Sequence, residues 1–259
     1  MNNNELRQHL ILSLLKNVRY DGRKDKLAYR EITVKTRVSK NAEGSAEVTI
    51  GGTKVLAGVK MAVEKPFPDR PTDGVLMVGA ELLPLSNPEF ELGPPGIWAT
   101  EIARVVDRGI RESGLVDLPK LCLVPGEKVW GVLIDICTIN DEGNLLDASA
   151  LAVLAAIRDV RFPKYENGVL DYSVKTDLRL PLKDKMPIAV TVYKLDRHFF
   201  VDPNLDEEQA YDARLTVTSS NEETICAMQK GGETPLTVEE IDAMVGIALD
   251  KAKEIRKLL

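Results

Sequence analysis

A chain of 259 residues, 44% hydrophobic and 29% charged, is long enough for one large domain or two small ones around a substantial core. Its formal net charge of −6 weighs against general affinity for nucleic acid but leaves room for a local basic patch. No apolar run reaches the ~20 residues needed to cross a bilayer. The amphipathic, acid-containing start MNNNELRQHLILSLLKN lacks the layout of a signal peptide, so a cytoplasmic protein without a membrane partner is expected.

Residues 4–17 read as a helix, with Leu6, Leu10, Ile11, Leu14 and Leu15 on one face. Strands are predicted at 29–38 and across 44–63, where Gly51-Gly52 is a two-residue hairpin signal. After the turn-rich PFPDRPTDG comes a strand at 75–85, and ELGPPG breaks the chain before a helix over 97–113. In that helix Trp98, Ile102, Val105, Val106 and Ile110 recur at helical spacing. A strand pair forms around PGEK, its second member VWGVLIDICTI apolar enough to be central in a sheet. The helix over 148–157 is apolar all round and therefore buried. Residues 163–186 read as irregular and polar. Strands follow near 187–195, 198–202, 212–219 and 223–230, and a last helix starts at a Thr237/Glu240 capping box.

Each half thus reads as strands with hairpins followed by helices, an α+β arrangement of two similar subdomains, the second shorter. The predicted division is an N-terminal segment 1–28, a first half 29–162, a connecting segment 163–186 and a second half 187–259. Cys122, Cys137 and Cys226 lie far apart, which suggests small buried hydrophobes and neither disulfide nor zinc. Only two histidines occur, His9 and His198, which nearly excludes His-based triads and multi-His metal sites. No dinucleotide fingerprint, Walker loop or nucleophile elbow occurs, so no metal and no cofactor are expected.

The stretch NDEGNLLDASALAVLAAI, from Asn140 to Ile157, has the strand–glycine turn–helix plan that elsewhere binds phosphate. Yet it carries Asp141, Glu142 and Asp147, with no Lys, Arg, Ser or Thr before Ser149.

Several stretches carry a family resemblance. RYDGRKDKLAYREI (19–32) resembles the opening signature of RNase PH-type proteins, and GSAEVTIGGTKVLAGV (44–59) is similar to their first hairpin. PDRPTDGVLMVGAELLPLSNPEFELGPP (68–95), TEIARVVDRGIRES (100–113) and DEGNLLDASALAVLAA (141–156) look like the larger, non-catalytic RNase PH-like subunit of the archaeal exosome. The resemblance runs from Val18 to about Ala252. It implies an RNase PH-like fold (ribosomal protein S5 domain 2-like) of two βαβα-type halves. It also implies a hexameric ring of three heterodimers with a catalytic RNase PH-like partner, with S1/KH-type RNA-binding cap subunits. Such a ring shortens single-stranded RNA from its 3′ end, with inorganic phosphate as nucleophile.

Active members of the family hold phosphate with a Gly-Ser/Thr-Arg loop, whereas this sequence has Gly143-Asn144-Leu145 there. Leu145 supplies no cation, and the neighbouring acids repel a dianion; Asp147 is expected to cap the following helix. Active members also place an essential Asp before a Met-Pro, where this chain has Lys185 before Met186-Pro187 and Asp184 one residue out of register. Lysine is a poor general acid near neutral pH, although it can meet an RNA phosphate. No catalytic residue is therefore assigned. Arg104, Arg108 and Arg111 share a helix face, which by composition alone reads as a solvated face with Glu101, Asp107 and Glu112 as partners. The resemblance instead implies that Arg104 and Arg108 touch RNA phosphates at the neighbour's active site, with Arg111 structural. Arg19 and Arg23, beside Asp21, are expected to brace the chain by ion pairing, Trp98 and Trp130 to be core, and Asp69, Arg70 and Asp73 to form an Asx-type turn. The alternative is a self-sufficient phosphorolytic 3′–5′ exoribonuclease whose phosphate-binding arginine lies elsewhere. Gly143-Asn144-Leu145 and Lys185 favour the non-catalytic, RNA-binding subunit.

Overall fold

Gly51 turns the chain at φ 58°, a left-handed value that a Cβ disfavours, and so closes the tight hairpin between β2 (Gly44–Ile50) and β3 (Thr53–Glu64). This computed structural model describes residues 3–221 and 223–259, so the first two residues of the expected N-terminal segment, and Glu222 ahead of the last strand, lie outside the described residues.

Around that hairpin the first sheet forms in the order β1-β2-β3-β6-β4, from β1 (Ile32–Thr36), β4 (Val75–Glu81) and β6 (Lys128–Asn140). The short β5 (Cys122–Val124) adds to β6. β4 runs parallel to β6, and the crossover between them is α2 (Ile97–Ser113). The second sheet has the order β10-β9-β11-β12, from β9 (Ile188–Leu195), β10 (His198–Val201), β11 (Ala213–Ser219) and β12 (Ile225–Gly231), all antiparallel.

α3 (Leu145–Asp159) explains how the two sheets meet. It packs on β2 and β3 of the first sheet and on β9 of the second. A helix covered on both sides has no face to leave polar, and all its residues from Leu145 to Ile157 except Ala150 are buried. One hydrophobic core therefore runs through both halves, from Val48 and Ile134 through Leu154 to Val192 and Val217. α5 (Val238–Arg256) lies on β9 and β11 behind the full Thr237/Glu240 capping box.

Three expectations need correction. Residues 163–186 are not irregular: β7 (Arg161–Glu166) and β8 (Val169–Arg179) pair as an antiparallel hairpin, whose polar, largely exposed β8 gives no alternation for a pattern to reveal. In α1 (Asn3–Leu15), Leu6, Leu10 and Leu14 are buried against Tyr193, Leu195 and Phe200, but Leu15 is exposed, since a four-residue stripe leaves it about 100° off the face. The cysteines are free but only half-buried. A short helix, α4 (Leu205–Glu208), had no periodicity to announce it. Among the described residues no helix is long and apolar enough to cross a membrane.

Candidate nucleic-acid interface

α2 is amphipathic: Ile102, Val105, Val106 and Ile110 enter the core, which leaves Glu101, Arg104 and Arg108 on the opposite side. They line an open concavity of about 470 Å³ with Thr100, Gln229 of β12 and the rim Pro95–Ile97. Arg104 and Arg108 are both exposed. Arg108 reaches only a main-chain carbonyl, that of Met228, at 3.5 Å. Among the described residues neither arginine forms an ion pair, so two guanidinium groups face solvent side by side. Such a pair suits the phosphates of an extended backbone.

Arg111 behaves differently. It grips Asp107 one turn back through Nη2–Oδ1 at 2.6 Å and Nε–Oδ2 at 3.0 Å, and also donates to the Leu76 carbonyl. These bonds pin α2 to β4, the structural role expected of it. Lys185 stands at the far end of the helix, its ammonium donating to the Ser113 carbonyl at 2.6 Å, where a cation completes an unsatisfied C-terminal carbonyl. It does not line the arginine concavity.

The loop before α3 keeps the shape of an anion cradle, with Gly143 at φ 89° and Asn144 at φ 65°. Its N–H groups are all taken. Asp141 donates to the Ser86 carbonyl, Glu142 to Thr53 Oγ1 at 3.0 Å, and Gly143 to Asp141 Oδ1 at 3.0 Å. Asn144 N–H donates to Glu208 Oε1 at 2.9 Å, and the Asn144 side chain donates to Asp202 Oδ1 at 2.9 Å. The Pro203–Asn204 backbone lies against Gly143 so closely that a Cβ there would meet Pro203 O at 2.5 Å. Leu145 turns into the core, 1% exposed. Of these donors, the Gly143 and Asn144 N–H groups and the Asn144 side chain are taken up by the protein's own carboxylates.

Three carboxylates around the loop, Glu208, Asp147 and Asp202, have shifted acidities. Burial pushes Glu208 up to about 7, partly offset by hydrogen bonds from Asn144 N–H and the Tyr193 hydroxyl. Burial likewise raises Asp147 to about 6, against hydrogen bonds from Tyr29 and Thr191. Asp147 is not the helix cap expected of it: it lies inside the first turn, and its Oδ1 accepts from the N–H and hydroxyl of Thr191 on β9. Burial also opposes ionisation of Asp202, but hydrogen bonds and charge from Arg30, with Arg23 behind, hold it below the usual carboxylate range.

Three arginines near the start of the chain serve this internal network. Arg19, fully buried, meets Glu207 at 2.5 Å and the carbonyls of Val201 and Asp202. Arg23 pairs with Asp21 and Asp202, and Arg30 bridges Asp202 to the carbonyls of Glu142 and Gly143. Trp130 is core, edge-on to Phe162 at 4.9 Å, whereas half-buried Trp98 sits under the Arg214 guanidinium at 5.0 Å. The Arg70 turn is closed by main-chain bonds from Arg70 N–H to Phe67 and from Asp73 N–H to Arg70. Glu208, Asp202, Arg30 and Arg214 carried no signal in the sequence, since each acts on residues more than fifty positions away.

Comparison with known proteins finds relatives over nearly the whole chain. The sequence models of the 3′ exoribonuclease family match as domain 1 over residues 28–163 and domain 2 over residues 185–251. Relatives named exosome complex component Rrp42 include one from Methanosarcina acetivorans, 45% identical over 95% of this chain and 90% of its own. Another, from Thermococcus gammatolerans, is 47% identical over 96% and 92%. Among solved structures, the Archaeoglobus fulgidus exosome with RNA bound to the active site superposes with a TM-score of 0.90 at 40% identity, covering 98% of both chains. An archaeal exosome core gives 0.86 at 38% identity over 98% of this chain and 96% of that one.

Proposed function

Because the chain belongs to the 3′ exoribonuclease family of RNase PH-type proteins, we propose that it is an RNA-binding exosome subunit with no catalytic centre of its own. The exosome assignment follows from the relatives, which match nearly from end to end and carry one exosome component name. The observation that carries the non-catalytic reading is the bond from Asn144 N–H to Glu208, which puts a carboxylate where a phosphorolytic site needs a free donor. Leu145 in the core and Lys185 at the end of α2 support it, because neither provides an anion cradle or an acid.

In this reading the subunit takes its place in a hexameric ring with a catalytic RNase PH-like partner and RNA-binding caps. Arg104 and Arg108 extend toward RNA phosphates at the partner's site, holding the strand without reading bases. Three free cysteines suit a reducing compartment such as the cytoplasm.

The test is reconstitution. The purified chain alone releases no nucleoside diphosphate from RNA in the presence of phosphate, while the chain mixed with its catalytic partner forms a ring that does. Phosphate-dependent RNA shortening by the chain alone overturns the non-catalytic reading.

A further inference from the structure

Arg104 has acidic residues three positions away on both sides, Glu101 and Asp107, on the same helix. Carboxylates at this spacing ordinarily neutralise an arginine. Here both are engaged by other arginines. Asp107 is gripped by Arg111 through two bonds. Glu101, which lines the concavity with Arg104, accepts from Arg214 Nη2 at 2.8 Å.

Arg214 comes from β11 of the other sheet, and its surroundings are built to hold it. Its side chain is 4% exposed, lies over Trp98 and donates from Nε to the Tyr211 hydroxyl at 3.3 Å. The residue opposite it on β12 is Gly231, where a Cβ would meet the guanidinium carbon at 2.6 Å. The absent side chain leaves room for the guanidinium. Arg214 Nη1 has no hydrogen-bond partner, and Glu101 is the one carboxylate paired with this buried cation among the described residues. A buried, unscreened arginine holds a carboxylate far more firmly than an exposed arginine one turn away.

We propose that Arg214 is a positioning residue for RNA binding, capturing Glu101 so that Arg104 stays unpaired and available to phosphate. Arg111 does the same for Asp107. The proposal rests on the RNA-binding reading of Arg104. Without the capture, Glu101 swings to Arg104, and an incoming phosphate must then displace a carboxylate.

The test uses the assembled ring and a fluorescently labelled single-stranded oligoadenylate, with affinity measured across a salt series. Arg104→Ala comes first: if it leaves affinity unchanged, the RNA-binding reading itself fails. Given that it weakens binding, Arg214→Met should also weaken it, by roughly tenfold at low salt, the size of one charge-assisted contact. Adding Glu101→Gln should restore affinity toward the wild type, since a neutral amide does not quench Arg104. In an Arg104→Ala background, Arg214→Met should have no further effect on binding. A merely structural role for Arg214 predicts a loss that Glu101→Gln does not rescue and that persists without Arg104; either result overturns the proposal. If Arg214→Met does not assemble, Arg214→Lys takes its place: it keeps the charge but not the planar fork, so a smaller loss with the same rescue is expected. Absence of that rescue is equally fatal.

Discussion

Replacing Glu208 with Gln should make the pH dependence of stability shallower between about pH 5 and 7. The carboxyl stands at about 7 in the folded chain against an ordinary value of 4.5. Below the unfolded value both states are protonated, and the buried neutral acid contributes its full stabilisation. As pH rises toward 7 the unfolded state loses its proton while the folded state keeps it, so stability falls by about 1.4 kcal/mol per unit of pH. Over the full interval this amounts to roughly 3 kcal/mol, an upper figure because the loop can relax around the charge. Gln keeps an oxygen for Asn144 N–H and a polar partner for the Tyr193 hydroxyl, so the fold should survive the change. Urea unfolding of the wild type and Glu208→Gln at half-unit steps from pH 5 to 8 measures the difference. Asp147, raised to about 6, contributes a similar slope to both proteins and cancels. Asp202 and Asp212, held below the carboxylate range, titrate outside this window. If the two proteins lose stability in parallel, Glu208 is not the buried acid that closes the loop.

Three other perturbations probe the same elements. Gly143→Ala should cost about 2 kcal/mol or more in thermal or urea unfolding, because φ 89° is strained for alanine and the new Cβ collides with Pro203. Arg19→Met should destabilise the chain by about 3–5 kcal/mol by leaving Glu207 buried without its cation, and Arg19→Met with Glu207→Gln should recover part of that loss. Arg104→Ala with Arg108→Ala should leave the ring assembled by mass measurement but weaken RNA degradation independently of sequence, with a shallower salt dependence than the wild type, each lost contact costing about 1–3 kcal/mol; wild-type rates at every salt concentration would leave those arginines as a solvated face.

The elements with a strong period could be read from the chain alone. The 97–113 helix carries its apolar residues at helical spacing and ends in the left-handed Gly114, so pattern and stop signal agree. The hairpin at Gly51 and the capping box at Thr237 are local rules, and local rules survive folding. β7–β8 was invisible because its longer strand, β8, is polar and largely exposed, and the buried Phe162 and Pro163 of β7 are adjacent in the chain and so show no alternation. At the site, the charge of the loop was legible and its partners were not. Asp141, Glu142 and Leu145 already weigh against a bound phosphate in the sequence, but nothing nearby announces Glu208, sixty-four residues away. Asp147 misled for a related reason: an acid in the first turn looks like a cap until the second sheet supplies Thr191.

The second half of the chain explains what holds the loop in its cradle shape. A phosphate-binding turn needs backbone donors aimed at one point, and those donors cannot be buried unsatisfied when the anion is absent. Here Glu208, and Asp202 through the Asn144 side chain, arrive from the second half to accept the hydrogen bonds, while Arg30 from the first half ties Asp202 to the loop carbonyls. The turn has become a joint between the two halves, held by the same kind of charge-assisted bonds that would otherwise hold substrate. Its geometry is then under a structural constraint: Gly143 must keep its positive φ, and Asn144 must keep its left-handed backbone, to present those groups. An arginine at position 145 would therefore not recreate a phosphate site. Its side chain would enter a packed core at a point 1% exposed, and the donors it needs beside it would still be occupied by Glu208. Leu145→Arg should give a chain that is less stable at every pH and still silent toward phosphate. Phosphate-dependent shortening of RNA by that variant alone would mean the joint opens far more easily than its buried bonds allow.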